Sequence, residues 1–293
     1  MGKVKILLTG GNGFIARNIK EQLGSEYAIV SKNSSELNLL DPDAVSDCLK
    51  DGKFDIVLHS ATYDPAPKYS PKDPAKVLEN NLRMYFNITR CSGFFRKLIY
   101  FGSGAEFCRE NWAPKMKESY FDTHVPKDQY GYSKYLMTKY ALSNKNIYNL
   151  RVFSVFGKYE DWKYRFISRA CCCSLAGKDV NVSQNVVFDY LYIDDFIRVL
   201  SWFIENTPKH SVYNVCSGTT CDYTEIVNAI SGISGKPLKL VTRESGLRKE
   251  YSGDNSLLLG ELPGFTFMPL KESIKNLYVY YESNKNIIDT NEL

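Results

Sequence analysis

Short apolar runs recur along the first half of the chain, each broken by glycine or small polar residues. They are Val4–Leu8, Tyr27–Val30, Asp55–Leu58, Leu98–Phe101 and Ile147–Val152. Runs of this length without alternation predict strands buried on both faces, as in a parallel sheet. Between them the period changes. Asp41-Pro42 is a helix start, with Asp as N-cap and Pro in the first turn. Ala44, Val45, Cys48 and Leu49 form that helix's buried stripe, and Gly52 ends it. Asn80-Asn81 opens a helical stretch through Asn87, and Leu136, Met137, Tyr140 and Ala141 mark another by their spacing. Strands alternating with helices through Gly157 predict an α/β, doubly wound parallel sheet.

Beyond Gly157 the rhythm is different. Lys158 to Arg169 is charged and aromatic, and Phe188–Ile193 reads as a short strand. Asp194 is placed to cap a helix with Phe196, Ile197, Leu200, Phe203 and Ile204 on one face. Val212–Cys216 is a last strand, ending at Ser217-Gly218. Asp222-Tyr223-Thr224-Glu225 resembles a capping box in front of Ile226, Val227 and Ile230. This divides the chain into a nucleotide-binding domain, residues 1–157 plus about 186–217, and a smaller α/β domain, about 158–185 and 218–293. The smaller domain is expected to act as a lid that pins a substrate. Two loops are expected at the site: Tyr63–Pro74, rich in Pro and Lys, and the polar stretch Asn111–Asp128.

Composition narrows the class. The chain has 293 residues, 44% apolar and 24% charged, as globular proteins do. Its net charge of +4 is spread rather than clustered, which argues against nucleic acid and anionic membrane as partners. No apolar run approaches the ~20 residues of a membrane span. The N-terminal stretch reads as a strand running into glycine, not as a signal peptide. Eight cysteines without a zinc spacing read as reduced thiols of a cytoplasmic protein. No metal is expected.

The candidate chemistry lies at the ends of the predicted strands. Thr9-Gly10-Gly11-Asn12-Gly13-Phe14-Ile15-Ala16 follows the first strand and opens a helix. Such a loop lets backbone N–H groups approach a pyrophosphate. After the second strand, where NAD-preferring sites place an acidic residue, stand Ser31 and Lys32. A hydroxyl and an ammonium suit a ribose 2′-phosphate, so NADP(H) is expected rather than NAD(H). The Leu98 strand breaks at Gly102-Ser103-Gly104 and exposes one hydroxyl. Tyr130 and Lys134, four residues apart, share a helix face. An ammonium beside a phenol favours the phenolate. Ser, Tyr and Lys together form a proton donor and acceptor for a carbonyl or alcohol oxygen.

In this order the motifs resemble those of the extended short-chain dehydrogenase/reductase family, the NDP-sugar epimerases, dehydratases and ketoreductases. The resemblance covers almost the whole chain. It rests on the glycine loop, the Asp55–Ala61 strand end, Asn81, Ser103, Tyr130 with Lys134, and Leu150-Arg151 with Phe153 and Val155. It extends through Tyr190–Asp195 and Tyr213-Asn214-Val215 with Gly218. It implies a Rossmann domain with catalytic Ser103, Tyr130 and Lys134. It also implies cofactor contacts at Gly10, Gly13, Phe14, Ile15, Asp41, Ala61, Asn81, Lys134 and Val155, and, by analogy, a homodimer. Within the family, Glu36–Asp41 and the Gly102-Ser103 turn look most like GDP-fucose synthase and related 4-ketosugar reductases.

Three departures matter. GDP-fucose synthase has a cysteine where this chain has Ala105. It also has a histidine in a region, here Lys158–Arg169, that has none. Those two groups are its C3/C5 epimerising pair. Many members also have an Arg where this chain has Phe188, so contacts to a substrate phosphate are expected from elsewhere, with Arg243 or Arg248 as candidates. The expectation is an NADPH-dependent reductase of a GDP-linked 4-keto deoxyhexose or heptose that does not epimerise. The rivals are an NAD-dependent 4-epimerase and a non-catalytic NADP-binding regulator. A 4,6-dehydratase is disfavoured, because that subclass has Asp-Glu where Gly104-Ala105 stands.

Overall fold

The computed structural model describes residues 2–66 and 69–293. Pro67 and Lys68, part of the predicted 63–74 loop, lie outside the described residues. The first half runs β1 (Lys5–Thr9), α1 (Phe14–Leu23), β2 (Ala28–Lys32), α2 (Pro42–Gly52), β3 (Ile56–His59), α3 (Val77–Thr89), β4 (Lys97–Ser103), α4 (Gln129–Leu142) and β5 (Ile147–Val152). There follow β6 (Val155–Phe156), α5 (Phe166–Ala176), β7 (Val180–Val182), β8 (Val187–Asp189), β9 (Leu191–Tyr192), α6 (Ile193–Glu205) and β10 (Val212–Val215). The chain ends with β11 (Thr220–Asp222), α7 (Tyr223–Ser234), β12 (Leu240–Thr242), α8 (Ser256–Glu261) and α9 (Leu270–Ser283).

The apolar runs form one parallel six-stranded sheet, ordered β10-β5-β4-β3-β1-β2. Leu7, Val57, Leu98 and Tyr100 point to one face, where they pack with Val45 and Leu49 of α2, Tyr85 and Ile88 of α3, and Met137 of α4. The sequence-expected α/β doubly wound architecture is therefore present. Strand order turns back at β1, which pairs with β2 on one side and β3 on the other. In open parallel sheets the connections leaving such a pair part to opposite faces, and a crevice opens beyond their carboxyl ends.

The chain divides into two compact units. One comprises the chain to Asn111, Lys117–Val152 and Ile197–Val215; the other comprises Trp112–Met116, Phe153–Phe196 and Cys216–Leu293. The boundaries differ from those read in the sequence: residues 153–157 and 186–196 go with the second unit. The reason is pairing. β6 pairs with β9, and β8 pairs with β11, so neither joins the six-stranded sheet. The second unit also holds the parallel pair β7–β12. Asp194 lies inside the first turn of α6 rather than before it, whereas Asp222 caps α7 in a capping box with Glu225.

Candidate active site

The glycine loop is shaped by close approach. Gly10 has φ +72°, and a Cβ there would stand 2.8 Å from both N and Cα of Ala61. Only glycine allows the ends of β1 and β3 to meet so closely. Gly13 N–H donates to Gly10 O at 2.8 Å, and Gly11 N–H to Lys32 O at 3.0 Å. Gly13 is the N-cap of α1 and supplies no side-chain acceptor, so Phe14 and Ile15 begin a helix whose first N–H groups lack a capping side chain. Such an end accommodates an anion. The Ser31 hydroxyl packs against Gly11, is buried, and has no hydrogen-bond partner among the described residues. A buried donor of this kind, with Lys32 beside it, suits a phosphate oxygen at the same edge.

Two carried-over cofactor residues have structural work of their own. Asp41 Oδ1 accepts from the N–H groups of Asp43 (3.0 Å) and Ala44 (3.1 Å), capping α2. Asn81 is buried in α3 and brackets the loop after β3. Its Oδ1 accepts from Tyr63 N at 2.8 Å, and its Nδ2 donates to Tyr63 O at 3.0 Å. Ala61 N–H in turn donates to Thr9 Oγ1 at 3.3 Å, and that hydroxyl lies 2.9 Å from His59 Nδ1. Burial, reinforced by the charge of Lys134, pushes His59 down to about 3, so its ring is neutral at pH 7.

Ser103 is the last residue of β4. Its Oγ accepts from Ala105 N–H at 3.2 Å, and its own N–H donates to Glu106 Oε1 at 3.1 Å. Asp128 caps α4 by accepting from Gly131 N–H at 2.8 Å. A Cβ on Gly131 would lie 2.6 Å from Ala105 O, so the bare glycine lets the first turn of α4 sit directly on the turn after Ser103. Tyr130, half-buried, belongs to that turn of the helix. One turn on, Lys134 is buried and donates to Phe101 O at 2.8 Å, with Nζ 5.9 Å from the Tyr130 ring centroid. Burial lowers Lys134 from 10.5 to about 8, with the charges of Glu106 and Asp64 acting the other way. Thus Ser103, Tyr130 and Lys134 converge on the end of β4.

Three other predicted site residues, Val155, Arg243 and Arg248, belong to the second unit. Val155 lies in β6 of the second unit, paired with Leu191. Arg243 and Arg248 are exposed in that unit; Arg248 donates to Gln184 Oε1 at 3.0 Å and Ser183 Oγ at 3.2 Å. A cavity of about 680 Å³ beside them is lined by Asn185, Asp222, Thr224, Thr242 and Leu247, among others. Phe188 packs edge-on to Tyr223 and Tyr251. Ala105 is buried, and His124 is an exposed residue 3.1 Å from Thr123 Oγ1. The 158–169 segment does hold an ionisable group that sequence reasoning passed over. Glu160 is buried, accepts from Ser168 Oγ at 2.7 Å, and is raised by burial to about 7. Glu106 and its partners on α4 and β5 were missed as well. The available signal was a lone acid and a lone arginine inside otherwise buried stretches.

Known proteins add the following. The model of the NAD dependent epimerase/dehydratase family matches residues 6–216. An ADP-L-glycero-D-manno-heptose-6-epimerase from Brachyspira hyodysenteriae is 24% identical over 285 residues, covering 84% of this chain and 86% of its own. A GDP-L-colitose synthase from Yersinia pseudotuberculosis is 21% identical over 309 residues, covering 97% and 99%. The solved structure of a GDP-mannoheptose C4 reductase from Campylobacter jejuni, with NADP bound, superposes with a TM-score of 0.83 at 19% identity, covering 96% and 99%. Matched by the family model over most of its length, the chain belongs to the NAD dependent epimerase/dehydratase family of extended short-chain dehydrogenases/reductases, enzymes of the oxidoreductase kind.

Proposed function

We propose that this protein reduces the C4 keto group of a GDP-linked 4-keto deoxyhexose or heptose with NADPH, leaving C3 and C5 untouched. The observation that carries the reading is the convergence of Ser103, Tyr130 and Lys134 on the end of β4. A hydroxyl, a phenol and an ammonium there suit an oxygen that gains negative charge. The cradle of Gly10, Gly13 and the start of α1 would take the dinucleotide's pyrophosphate, and Ser31 and Lys32 its 2′-phosphate. Glu36, the first acid in sequence after β2, has its carboxylate engaged by Asn33 N–H at 2.8 Å. NADPH, when bound, supplies the hydride.

Tyr130 donates its proton to the developing C4 alkoxide. Ser103 Oγ–H donates a hydrogen bond to the same oxygen. Lys134 holds positive charge beside the phenol and orients the nicotinamide ribose. Arg243 and Arg248 are assigned to the substrate diphosphate. The GDP preference is supported by the colitose synthase and heptose reductase relatives. The competing reading is an NAD-dependent 4-epimerase; the heptose-6-epimerase relative favours epimerase chemistry in general, at a different carbon. One experiment separates them: offer purified protein a panel of nucleotide 4-ketosugars with NADPH or NADH, and a matching panel of nucleotide sugars bearing a C4 hydroxyl with NAD. Stoichiometric loss of NADPH marks a reductase. Interconversion of epimers without net cofactor loss marks an epimerase, and neither, with dinucleotide still bound, marks a regulator.

A further inference from the structure

Glu106 and Arg151 form an ion pair, Nε to Oε2 at 2.9 Å, with both side chains fully buried. A buried pair of this kind is costly unless hydrogen bonds complete it. Here hydrogen bonds reach the carboxylate from three directions, although Arg151 Nη2 and Asn149 Oδ1 have no hydrogen-bond partner among the described residues. The Glu106 carboxylate accepts from Ser103 N–H (3.1 Å), Thr138 Oγ1 (2.8 Å) and Asn149 Nδ2 (3.2 Å). Thr138 stands one turn beyond Lys134 and two beyond Tyr130, on the same face of α4. Arg151 Nη1 donates onward to Asn214 Oδ1 at 3.0 Å, and Asn214 N–H donates to Glu118 Oε1 at 2.8 Å. Gly102, just before Ser103, makes room: a Cβ there would overlap Glu106 Oε1 and Asn149 Oδ1. One carboxylate is therefore bonded to the serine turn, to the tyrosine–lysine helix and to β5.

We propose that Glu106 is a positioning residue of the active site, fixing the Ser103 turn and the Tyr130–Lys134 face in one register and serving as counter-charge to Lys134. This rests on the Ser103–Tyr130–Lys134 assignment made above. The ionisable groups around Lys134 are Glu106 after β4, Asp64 in the loop after β3, neutral His59 on β3 and Tyr130 on its own helix. Around Glu106 itself stand Arg151 and the phenols of Tyr85 and Tyr100. Asp64 acts on Lys134 in the same direction as Glu106, so loss of Glu106 weakens the counter-charge without abolishing it.

The test compares two variants of the full chain. Glu106→Gln removes the charge and keeps the shape; Thr138→Val cuts the tie to α4 and keeps the charge. The readout is the titration of Lys134 Nζ, followed by ¹⁵N NMR in lysine-labelled protein, with Lys134→Met identifying the signal. It needs no substrate, so an error in the substrate reading leaves it intact. In Glu106→Gln the midpoint should fall; in Thr138→Val it should stay where it is in the unaltered protein. Ketosugar turnover should drop at least roughly tenfold in Glu106→Gln, with NADPH affinity unchanged. If Glu106→Gln does not fold, Glu106→Gln with Arg151→Met strands no buried charge and should still lower the midpoint. An unmoved midpoint in Glu106→Gln, or in the double variant where the single one does not fold, overturns the proposal.

Discussion

At the scale of single residues, Lys134 shows function set against stability. Burial lowers it from 10.5 to about 8, so the folded chain charges it at a cost of roughly 3 kcal/mol at neutral pH. The sign follows from proton counting. Between those two values the unfolded chain binds more protons, so stability rises with pH across the window. Lys134→Met should therefore raise stability at pH 7 by about 1–2 kcal/mol, after loss of the bond to Phe101 O, and the gain should vanish as pH approaches 10.5. Urea titrations at both pH values check this. Tyr130→Phe keeps the ring and removes the donor; reduction should slow by roughly 10²–10⁴-fold while NADPH still binds, as read by fluorescence titration. Lys32→Asp should abolish or reverse a preference for NADPH over NADH in the same titration. The residue types at these positions were legible. The cap that Asp41 makes on α2 was legible from Asp41-Pro42; what Asn81 does locally was not, because a resemblance cannot distinguish a ligand contact from a clamp on Tyr63.

At the scale of elements, the strands were the plainest reading, since β1, β3, β4 and β5 are buried along almost their whole length. Helix α4 was read from an apolar stripe of Leu136, Met137, Tyr140 and Ala141. In the fold, Met137 and Ala141 are buried, but so are Ser133, Lys134 and Thr138, while Tyr140 is exposed. The helix is wedged between the core and a polar network, so one apolar face does not describe it. Its start was not read either. Asp128 caps it, and Asp128→Ala should cost about 1 kcal/mol in urea unfolding and slow turnover more than that loss explains, because the same cap positions the turn that carries Tyr130. The buried Glu106–Arg151 pair was hidden for another reason: its partners come from β4, α4 and β5, and no local pattern announces contacts so distant in sequence.

At the scale of the whole molecule, the order of elements was legible and the unit boundaries were not, because β6 and β8 are too short to show which strand they pair with. Among the described residues no helix is long and apolar enough to cross a membrane. The functional account turns on where hydride goes and which protons stay. Buried Ala105 offers no acid or base, and Glu160, though ionisable, is shut in and bonded to Ser168. The decisive measurement is turnover of a GDP-linked 4-ketosugar with deuteride-labelled NADPH in ordinary water, and with unlabelled NADPH in D₂O, each product read by NMR. The account predicts one deuterium at C4 in the first case and none at C3 or C5 in the second. Solvent deuterium at C3 or C5, or conversion with NAD and no net hydride transfer, would contradict it.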